Sequence, residues 1–282
     1  MRSRRSTECD TVSSRPRRAR LDAELVRRGL ARSRQQAAEL IADGRVMVRG
    51  VPASKAATAV EIDAPVLIRE GSGPGWASRG ALKLLGALAE FTPGGFTVAD
   101  RRCLDAGAST GGFTDVLLRH KAAEVVAVDV GYGQLVWRLR SDERVRVLDR
   151  TNVRALTPAD IGGQVRLTVA DLSFISLRTV LPALTACTDP DGDVLPMVKP
   201  QFEVGRRRLG AGGVVREPGL RVAALIEVAE AAAALGWYPA GAVASPAPGP
   251  AGNVEYFLWL RRDAAPGDPS EALERAVAEG PP

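Results

Sequence analysis

The chain reads as an α/β protein, a doubly wound and largely parallel sheet preceded by a small α+β module. Three observations predict this. From Arg101 onward, short apolar runs of strand length alternate with stretches of helical periodicity. A glycine-rich turn, Gly107-Ala108-Ser109-Thr110-Gly111-Gly112, follows the first of those runs. Residues 21–50 instead carry two short amphipathic stretches and a hairpin, set apart by Gly71-Ser72-Gly73-Pro74-Gly75. The expected boundaries are a disordered basic extension at 1–16, the small module at 17–66 and a linker at 67–80. The sheet domain follows at 81–263, and a tail or short helix at 264–282.

Composition narrows the class. With 45% hydrophobic and 25% charged residues among 282, the chain is of globular type and long enough for one α/β domain plus a module. No run approaches the roughly 20 apolar residues that span a bilayer. The arginine-rich start lacks the apolar core of a secretory signal. Cys9, Cys103 and Cys187 are scattered and odd in number, so reduced thiols, a cytoplasmic location and no metal site are expected. The net charge is only +5, yet residues 1–34 hold eleven arginines against four acidic residues. That asymmetry calls for a polyanionic partner, nucleic acid or an anionic membrane surface. The arginines from Arg17 to Arg34 lie on and beside a patterned segment, which favours nucleic acid.

In the small module, Leu21, Leu25, Val26 and Leu30 recur at helical spacing and Gly29 closes that helix. Ser33 and Gln36 have the form of a capping box opening a second helix with Ala37, Leu40 and Ile41 inside. Asp43-Gly44 stops it, and Arg45 to Pro52 alternates like a strand entering a turn. The candidate phosphate contacts are Arg17, Arg18, Arg20, Arg27, Arg28, Arg32, Arg34, Arg45 and Arg49. Such a surface suits RNA phosphates and shape better than base reading. The string RLDAELVRRGLARSRQQAAELIADGRVMVRG resembles the RNA-binding domain named after small-subunit ribosomal protein S-four.

In the sheet domain, strands are expected at Arg102–Asp105, Val125–Asp129, Val145–Leu148, Val165–Asp171, Val194–Val198, Ala240–Ala244 and Tyr256–Leu260. Helices fit at 112–120, 132–140, 176–186 and 219–235, with a short one at 270–278. Ser78 to Leu85 opens an amphipathic helix ahead of the sheet. His120, the only histidine, falls at a helix end and is given no role.

The turn after the first strand would hold a nucleotide-like cofactor at the carboxyl edge of the sheet. Its spacing is G-x-x-x-G-G, not the G-x-G-x-x-G of a pyrophosphate dinucleotide site, and Asp105 stands beside it. A carboxylate there would repel a pyrophosphate and favour an ammonium and a sulfonium, the charges of S-adenosylmethionine. Gly107, Ala108, Ser109, Thr110, Gly111, Gly112 and Phe113 would form the cradle, with Asp129 taking ribose hydroxyls and Asp149 facing the adenine amino group. Any one of these aspartates alone reads as a solvated loop residue. Three at successive strand ends do not.

Four further residues carry the chemistry. Lys83 lies in the helix ahead of the sheet, Asp171 closes a strand, Lys199 follows an apolar strand, and Glu255 opens the last one. All but Lys83 are at strand termini and can converge near the cofactor turn. Together they resemble the K-D-K-E tetrad of FtsJ-like RNA 2′-O-methyltransferases. With the S-four-like module, and with SRGALKL, LDAGASTGGFTD, VDVGYGQL, DRTN, ADLSFISL, VKPQFEVG, GGVV and GNVEYFLWL in order, the chain is similar to the TlyA family from about Arg17 to Arg261. Leu82 stands where many members have histidine.

The resemblance implies a Rossmann-like methyltransferase that modifies cytidine 2′-hydroxyls in ribosomal RNA. It implies 23S rRNA within 50S subunits and, for longer members, 16S rRNA within 30S subunits, with a link to capreomycin and viomycin sensitivity. Lys199 would be the base, Asp171 and Glu255 would orient it, and Lys83 would tune the site. Residues 66–80 would couple docking to the active site, and the protein would act as a monomer. Competing readings are a membrane-active haemolysin, a non-catalytic RNA-binding module, and a methyltransferase acting on protein or a small molecule.

Overall fold

The computed structural model describes residues 17–31, 33–42, 44–68, 75–205 and 208–281. The chain divides into two compact units, one up to residue 72 and the other from residue 73. The extension expected at 1–16 lies outside the described residues, as do Arg32 and Asp43.

The first unit runs β1 (Arg18–Arg20), α1 (Leu21–Arg27), α2 (Arg34–Ala42), β2 (Val46–Val48), β3 (Val51–Pro52), β4 (Ala59–Glu61) and β5 (Val66–Ile68). Both expected helices form. Ser33 caps the second by accepting the Gln36 amide at 3.1 Å. Their apolar faces bury Leu21, Leu25, Ala37 and Ile41 with Val46 and Val60. Arg49 (φ 51°) and Gly50 (φ 80°) form the two-residue connection between β2 and β3, the left-handed pair that a tight hairpin needs. Three elements escaped the sequence reading. β1 pairs with β4 antiparallel, and β5 pairs with β2. Leu67 and Ile68, expected in the linker, therefore belong to a strand.

The second unit is built on a seven-stranded sheet. Its elements are α3 (Gly80–Phe91), β6 (Arg102–Ala106), α4 (Gly112–Arg119), β7 (Glu124–Val128), α5 (Trp137–Arg140), β8 (Val145–Leu148), α6 (Pro158–Ile161) and β9 (Val165–Ala170). There follow α7 (Leu177–Cys187), β10 (Thr188–Val198), α8 (Pro200–Glu203), α9 (Pro218–Ala233), β11 (Tyr238–Ala244), β12 (Tyr256–Arg261) and α10 (Ser270–Ala278). The sheet order is β11-β12-β10-β9-β6-β7-β8. β10, β9, β6, β7 and β8 are parallel neighbours, while β12 runs antiparallel between β10 and β11. From β6 the chain winds outward through β7 and β8, then crosses to β9 and β10. The switch point therefore lies between β6 and β9, at the carboxyl edge where a doubly wound sheet binds ligand.

Strand alternation sorts the core onto two faces. Val126, Val128, Val194, Val198, Tyr256, Leu258 and Leu260 pack under α7 and α9. Val125, Ala127, Leu195, Met197, Phe257 and Trp259 face α3 and α4. Each large apolar side chain so enclosed contributes about 1.5–3 kcal/mol relative to exposure. Of the tail or short helix expected after residue 263, the helix forms as α10, with Leu273, Ala276 and Val277 buried. Among the described residues no helix is long and apolar enough to cross a membrane.

The helix expected at 132–140 shrinks to Trp137–Arg140. The preceding Val-Gly-Tyr-Gly stretch is held as an open loop. Asp129 accepts the Gly131 amide at 2.7 Å, and the Gly131 carbonyl accepts the Arg150 amide at 2.8 Å. Gly133 takes φ 61°. β10 begins earlier than expected, at Thr188, with an irregularity in its pairing between Thr188 and Asp193.

Candidate active site

The carboxyl edge of the parallel strands gathers the residues singled out by sequence. Asp171 follows β9 and Lys199 follows β10. Because β12 is antiparallel, its start rather than its end lies at that edge, which brings Glu255 there; the register sets Val198 opposite Tyr256. α3 supplies Lys83 from above.

The four form a chain of alternating charge. Glu255 Oε2 accepts from Lys83 Nζ at 2.5 Å, Lys83 Nζ stands 4.0 Å from Asp171 Oδ2, and Asp171 Oδ1 meets Lys199 Nζ at 2.6 Å. Lys83, Lys199 and Glu255 are all buried, while the Asp171 side chain keeps 21% of its surface open. Lys199 also donates to Ser173 Oγ at 3.1 Å. The expected geometry needs one correction: Glu255 bonds Lys83, not Lys199, and reaches Lys199 only through Lys83 and Asp171.

Burial favours the neutral amine of Lys83, but the Asp171 and Glu255 carboxylates outweigh it and hold Lys83 above the ordinary lysine value. Burial likewise opposes ionisation of Asp171, and the Lys199 and Lys83 ammonium groups overcome it, keeping its carboxyl below the usual range. Lys83 is thus fixed as a cation between two anions. Lys199 has one carboxylate, one hydroxyl and a remaining direction.

The glycine-rich turn closes over β7, where Val128 O accepts the amides of Gly107 (2.8 Å) and Ala108 (3.1 Å). Its glycines are demanded by neighbours. A Cβ on Gly107 would sit 2.4 Å from the Asp171 carbonyl oxygen, one on Gly111 2.4 Å from Leu139, and one on Gly112 2.3 Å from Ser78. Close packing around the turn is thus enough to require glycine at 111 and 112. Phe113 is enclosed in the core against Phe257, with ring centroids 5.9 Å apart, and does not line an opening. Gly107, Ser109 and Thr110 keep partial exposure.

Of the three aspartates, Asp105 turns inward. It is fully buried, its Oδ2 accepts from Thr114 Oγ1 at 2.7 Å, and its Oδ1 has no hydrogen-bond partner among the described residues. Burial pushes its carboxyl up to about 7. Asp129 accepts the Ser109 amide on Oδ2 at 2.8 Å and the Gly131 amide on Oδ1 at 2.7 Å. Each oxygen retains a lone pair for a further donor. Asp149, expected to face an adenine, pairs with Arg140 at 2.9 Å.

Sequence reasoning passed over several residues here. Asn253 pins the 213–215 segment to the start of β12, accepting the Val215 amide at 2.9 Å and donating to Gly213 O at 3.0 Å. Gly249 lets the chain pass Glu255, since a Cβ there would lie 2.6 Å from Oε1. Phe174, at φ 64° and 81% exposed, meets Phe202 in a tilted ring contact with centroids 5.3 Å apart. The linker end is anchored by Asp115, which accepts the Ala77 amide at 2.8 Å and pairs with Arg119 and Arg138, while Arg119 lies 4.0 Å over the Trp76 ring.

In the first unit, Arg17 and Arg18 are exposed. Arg20 and Arg34 each meet Asp22 Oδ2 at 2.9 Å with side chains more than half exposed. Arg27 pairs with buried Glu24 and Arg49 with Glu61. Arg45 is half-buried. Arg28 departs from expectation. Its guanidinium donates to Glu24, to Ala64 O and to Ile62 O, so it ties α1 to the turn after β4 and offers little to a ligand.

Comparison with known proteins places the chain in a family. Residues 76–262 match the FtsJ-like methyltransferase family and residues 19–66 match the S4 domain. A 16S/23S rRNA (cytidine-2′-O)-methyltransferase TlyA of Mycobacterium tuberculosis is 60% identical over 269 residues, covering 94% of this chain and 99% of its own. Hemolysin A of Brachyspira hyodysenteriae is 35% identical, covering 84% of this chain and 98% of its own. A solved structure from Streptococcus thermophilus that also carries the name hemolysin superposes with TM-score 0.72 at 37% identity, covering 94% of this chain and 95% of that one. Fold, tetrad and comparisons together make the chain a methyltransferase of the FtsJ-like family, in its TlyA branch.

Proposed function

We propose that the protein transfers a methyl group from S-adenosylmethionine to the 2′-hydroxyl of a cytidine in ribosomal RNA. The observation that carries this reading is the buried charge chain Glu255–Lys83–Asp171–Lys199 beside the glycine-rich turn. When bound, S-adenosylmethionine supplies an electrophilic methyl on a sulfonium. The residues fit such a cation: Asp105 carries a buried, unpartnered carboxylate oxygen and Asp129 has lone pairs left for ribose hydroxyls. Gly107, Ala108, Ser109 and Thr110 would frame it.

Lys199 is the base. Its open direction receives the 2′-hydroxyl, and Asp171 holds its Nζ and stabilises the ammonium formed as the hydroxyl proton arrives. Lys83, kept cationic, neutralises Glu255 and fixes Asp171 electrostatically. Arg17, Arg18, Arg20, Arg27, Arg34, Arg45 and Arg49 supply phosphate contacts from the first unit. Phe174 offers an exposed ring to an unstacked base.

The target is taken from the TlyA relative, whose name includes both 16S and 23S rRNA, so unmethylated 30S and 50S subunits are the substrates to offer. The test is transfer of tritiated methyl from S-adenosylmethionine to each, beside Lys199→Ala. Label at a cytidine ribose that the variant abolishes supports the reading. No label in either subunit, with cofactor binding intact, refutes it. A liposome-leakage assay on the same preparation addresses the hemolysin name that relatives carry.

A further inference from the structure

We infer that Ser173 is a positioning residue that aims the Lys199 amine at the hydroxyl to be methylated. The inference rests on Lys199 being the base. It starts from the valence of Nζ. The nitrogen is tetrahedral, so beyond its bond to Cε three directions remain. One is taken by Asp171 Oδ1 at 2.6 Å and one by Ser173 Oγ at 3.1 Å. Among the described residues nothing takes the third, which is left for a substrate.

In the neutral amine, the state able to accept a proton, Nζ carries two hydrogens and one lone pair. With Asp171 Oδ1 and Ser173 Oγ both accepting, as in the bonds seen here, each hydrogen has an acceptor and the lone pair occupies the third direction. With Asp171 alone, the lone pair and the second hydrogen could exchange places by rotation about the Cε–Nζ bond, and half of those arrangements would face a hydrogen toward the attacking oxygen. Ser173 removes that freedom. As the 2′-oxygen bonds to the methyl carbon, the carbon–sulfur bond breaks and its electron pair leaves with the neutral thioether. The hydroxyl proton passes to Nζ, giving an ammonium whose three hydrogens face Asp171, Ser173 and the new ether oxygen. Ser173 thus accepts a hydrogen bond before and after transfer and never exchanges a proton itself.

The surroundings hold this hydroxyl in place. Residues 171–177 are fastened along the 199–203 segment by five contacts. After Asp171 and Ser173 on Lys199, the Phe174 ring meets Phe202 at 5.3 Å. Ser176 Oγ then donates to Glu203 Oε2 at 2.6 Å, and the Leu177 amide donates to Glu203 Oε1 at 2.8 Å. Glu203 is itself buried. The positive φ of Phe174 (64°) turns the chain sharply after Ser173. Such a conformation is costly for a bulky residue. Here it lets neighbouring side chains diverge, with Ser173 bonded back to Lys199 and Phe174 exposed.

The test is single-turnover methylation of unmethylated ribosomal subunits by wild type, Ser173→Ala, Ser173→Thr and Lys199→Ala, with cofactor affinity measured by calorimetry. Misaligning a base that contributes about 10²–10⁴-fold should lower the Ser173→Ala rate about 10- to 100-fold. The KM for RNA and the affinity for S-adenosylmethionine should stay within about twofold, and Ser173→Thr, which keeps the hydroxyl, should restore most of the rate. A Ser173→Ala enzyme at the wild-type rate, with Lys199→Ala inactive, overturns the role of Ser173. So does a threonine variant as impaired as alanine, or a loss carried by KM. An active Lys199→Ala enzyme would instead remove the base assignment beneath it.

Discussion

Replacing Lys83 by methionine isolates the ion pair that joins α3 to the start of β12, 172 positions apart in the chain. Lys83 Nζ lies 2.5 Å from Glu255 Oε2, with both residues buried, and Glu255 Oε1 has no other partner. Methionine fills much of the lysine volume, so the packing of Leu84 and Leu88 on the sheet is retained. What remains is a buried carboxylate without its counter-ion, and breaking such a pair from one side costs about 3–5 kcal/mol. Against a total stability of about 5–15 kcal/mol this is a large fraction. Equilibrium denaturation at neutral pH, followed by fluorescence of the buried Trp237 and Trp259, reads it out in the catalytic unit. Adding Glu255→Gln should recover at least half of the loss, because a neutral amide replaces the stranded charge. The variants should couple by about 2 kcal/mol or more. A single variant losing under about 1 kcal/mol, or a double variant losing the sum of the singles, would refute the view that Lys83 chiefly neutralises Glu255.

Three other expectations follow. In Gly107→Ala, the new Cβ meets the Asp171 carbonyl at 2.4 Å from a residue at φ 90°, so Asp171 must move; methylation should fall about 100-fold or more, and an unchanged rate would dissociate the turn from the tetrad. The Asp105 carboxyl, raised by burial to about 7 from 3.8, keeps its proton in the folded state as pH rises through that interval. It therefore favours the fold in acid and withdraws that support up to about 7, whereas a cationic donor favours its ionised form. S-adenosylmethionine affinity should increase from about pH 6 to about pH 8 and the Asp105→Asn profile should be flat; pH-independent binding by wild type in calorimetry would contradict this. Asp22→Asn removes a negative charge from the arginine surface, which by Coulomb attraction alone should strengthen RNA binding. Since Asp22 holds Arg20 and Arg34 at 2.9 Å each, we expect weaker binding, by about 3- to 10-fold, in filter or fluorescence titrations at fixed salt. Tighter binding would show that the two arginines need no positioning.

Much of the architecture was legible in local pattern. Val125–Val128 reads as a strand because a short apolar run buried on both faces has few other conformations open to it, and Val165–Ala170 because it too is mostly apolar, with Arg166 its one exposed residue. Leu21–Arg27 and Arg34–Ala42 showed as helices through their spacing and the Ser33 cap. Lys83, Asp171, Lys199 and Glu255 were singled out by their resemblance to a K-D-K-E set, and the expectation that they converge rested on the strand ends of a doubly wound sheet sharing one edge; the structure brings the four side chains together. Where pattern failed, long-range contacts prevailed. A helix was expected from residue 132, yet Gly131 is bonded to Asp129 and Arg150 and the Val136 amide to the Thr110 carbonyl, and these bonds hold the stretch open. β1, β4 and β5 are three residues each, too short to announce themselves before a partner pairs with them.

By itself, then, the sequence determined which residue types stand at the carboxyl edge of the sheet and that a basic module precedes it. Only the tertiary structure decided who pairs with whom. It placed Glu255 on Lys83, turned Asp105 into the core, committed Arg28 to the frame of its own unit, and set Ser173 against Lys199. Periodicity reports whether a side chain faces inward or outward. A bond between residues 172 positions apart depends on strand order, strand direction and register, and these are settled only when the sheet closes its ladder.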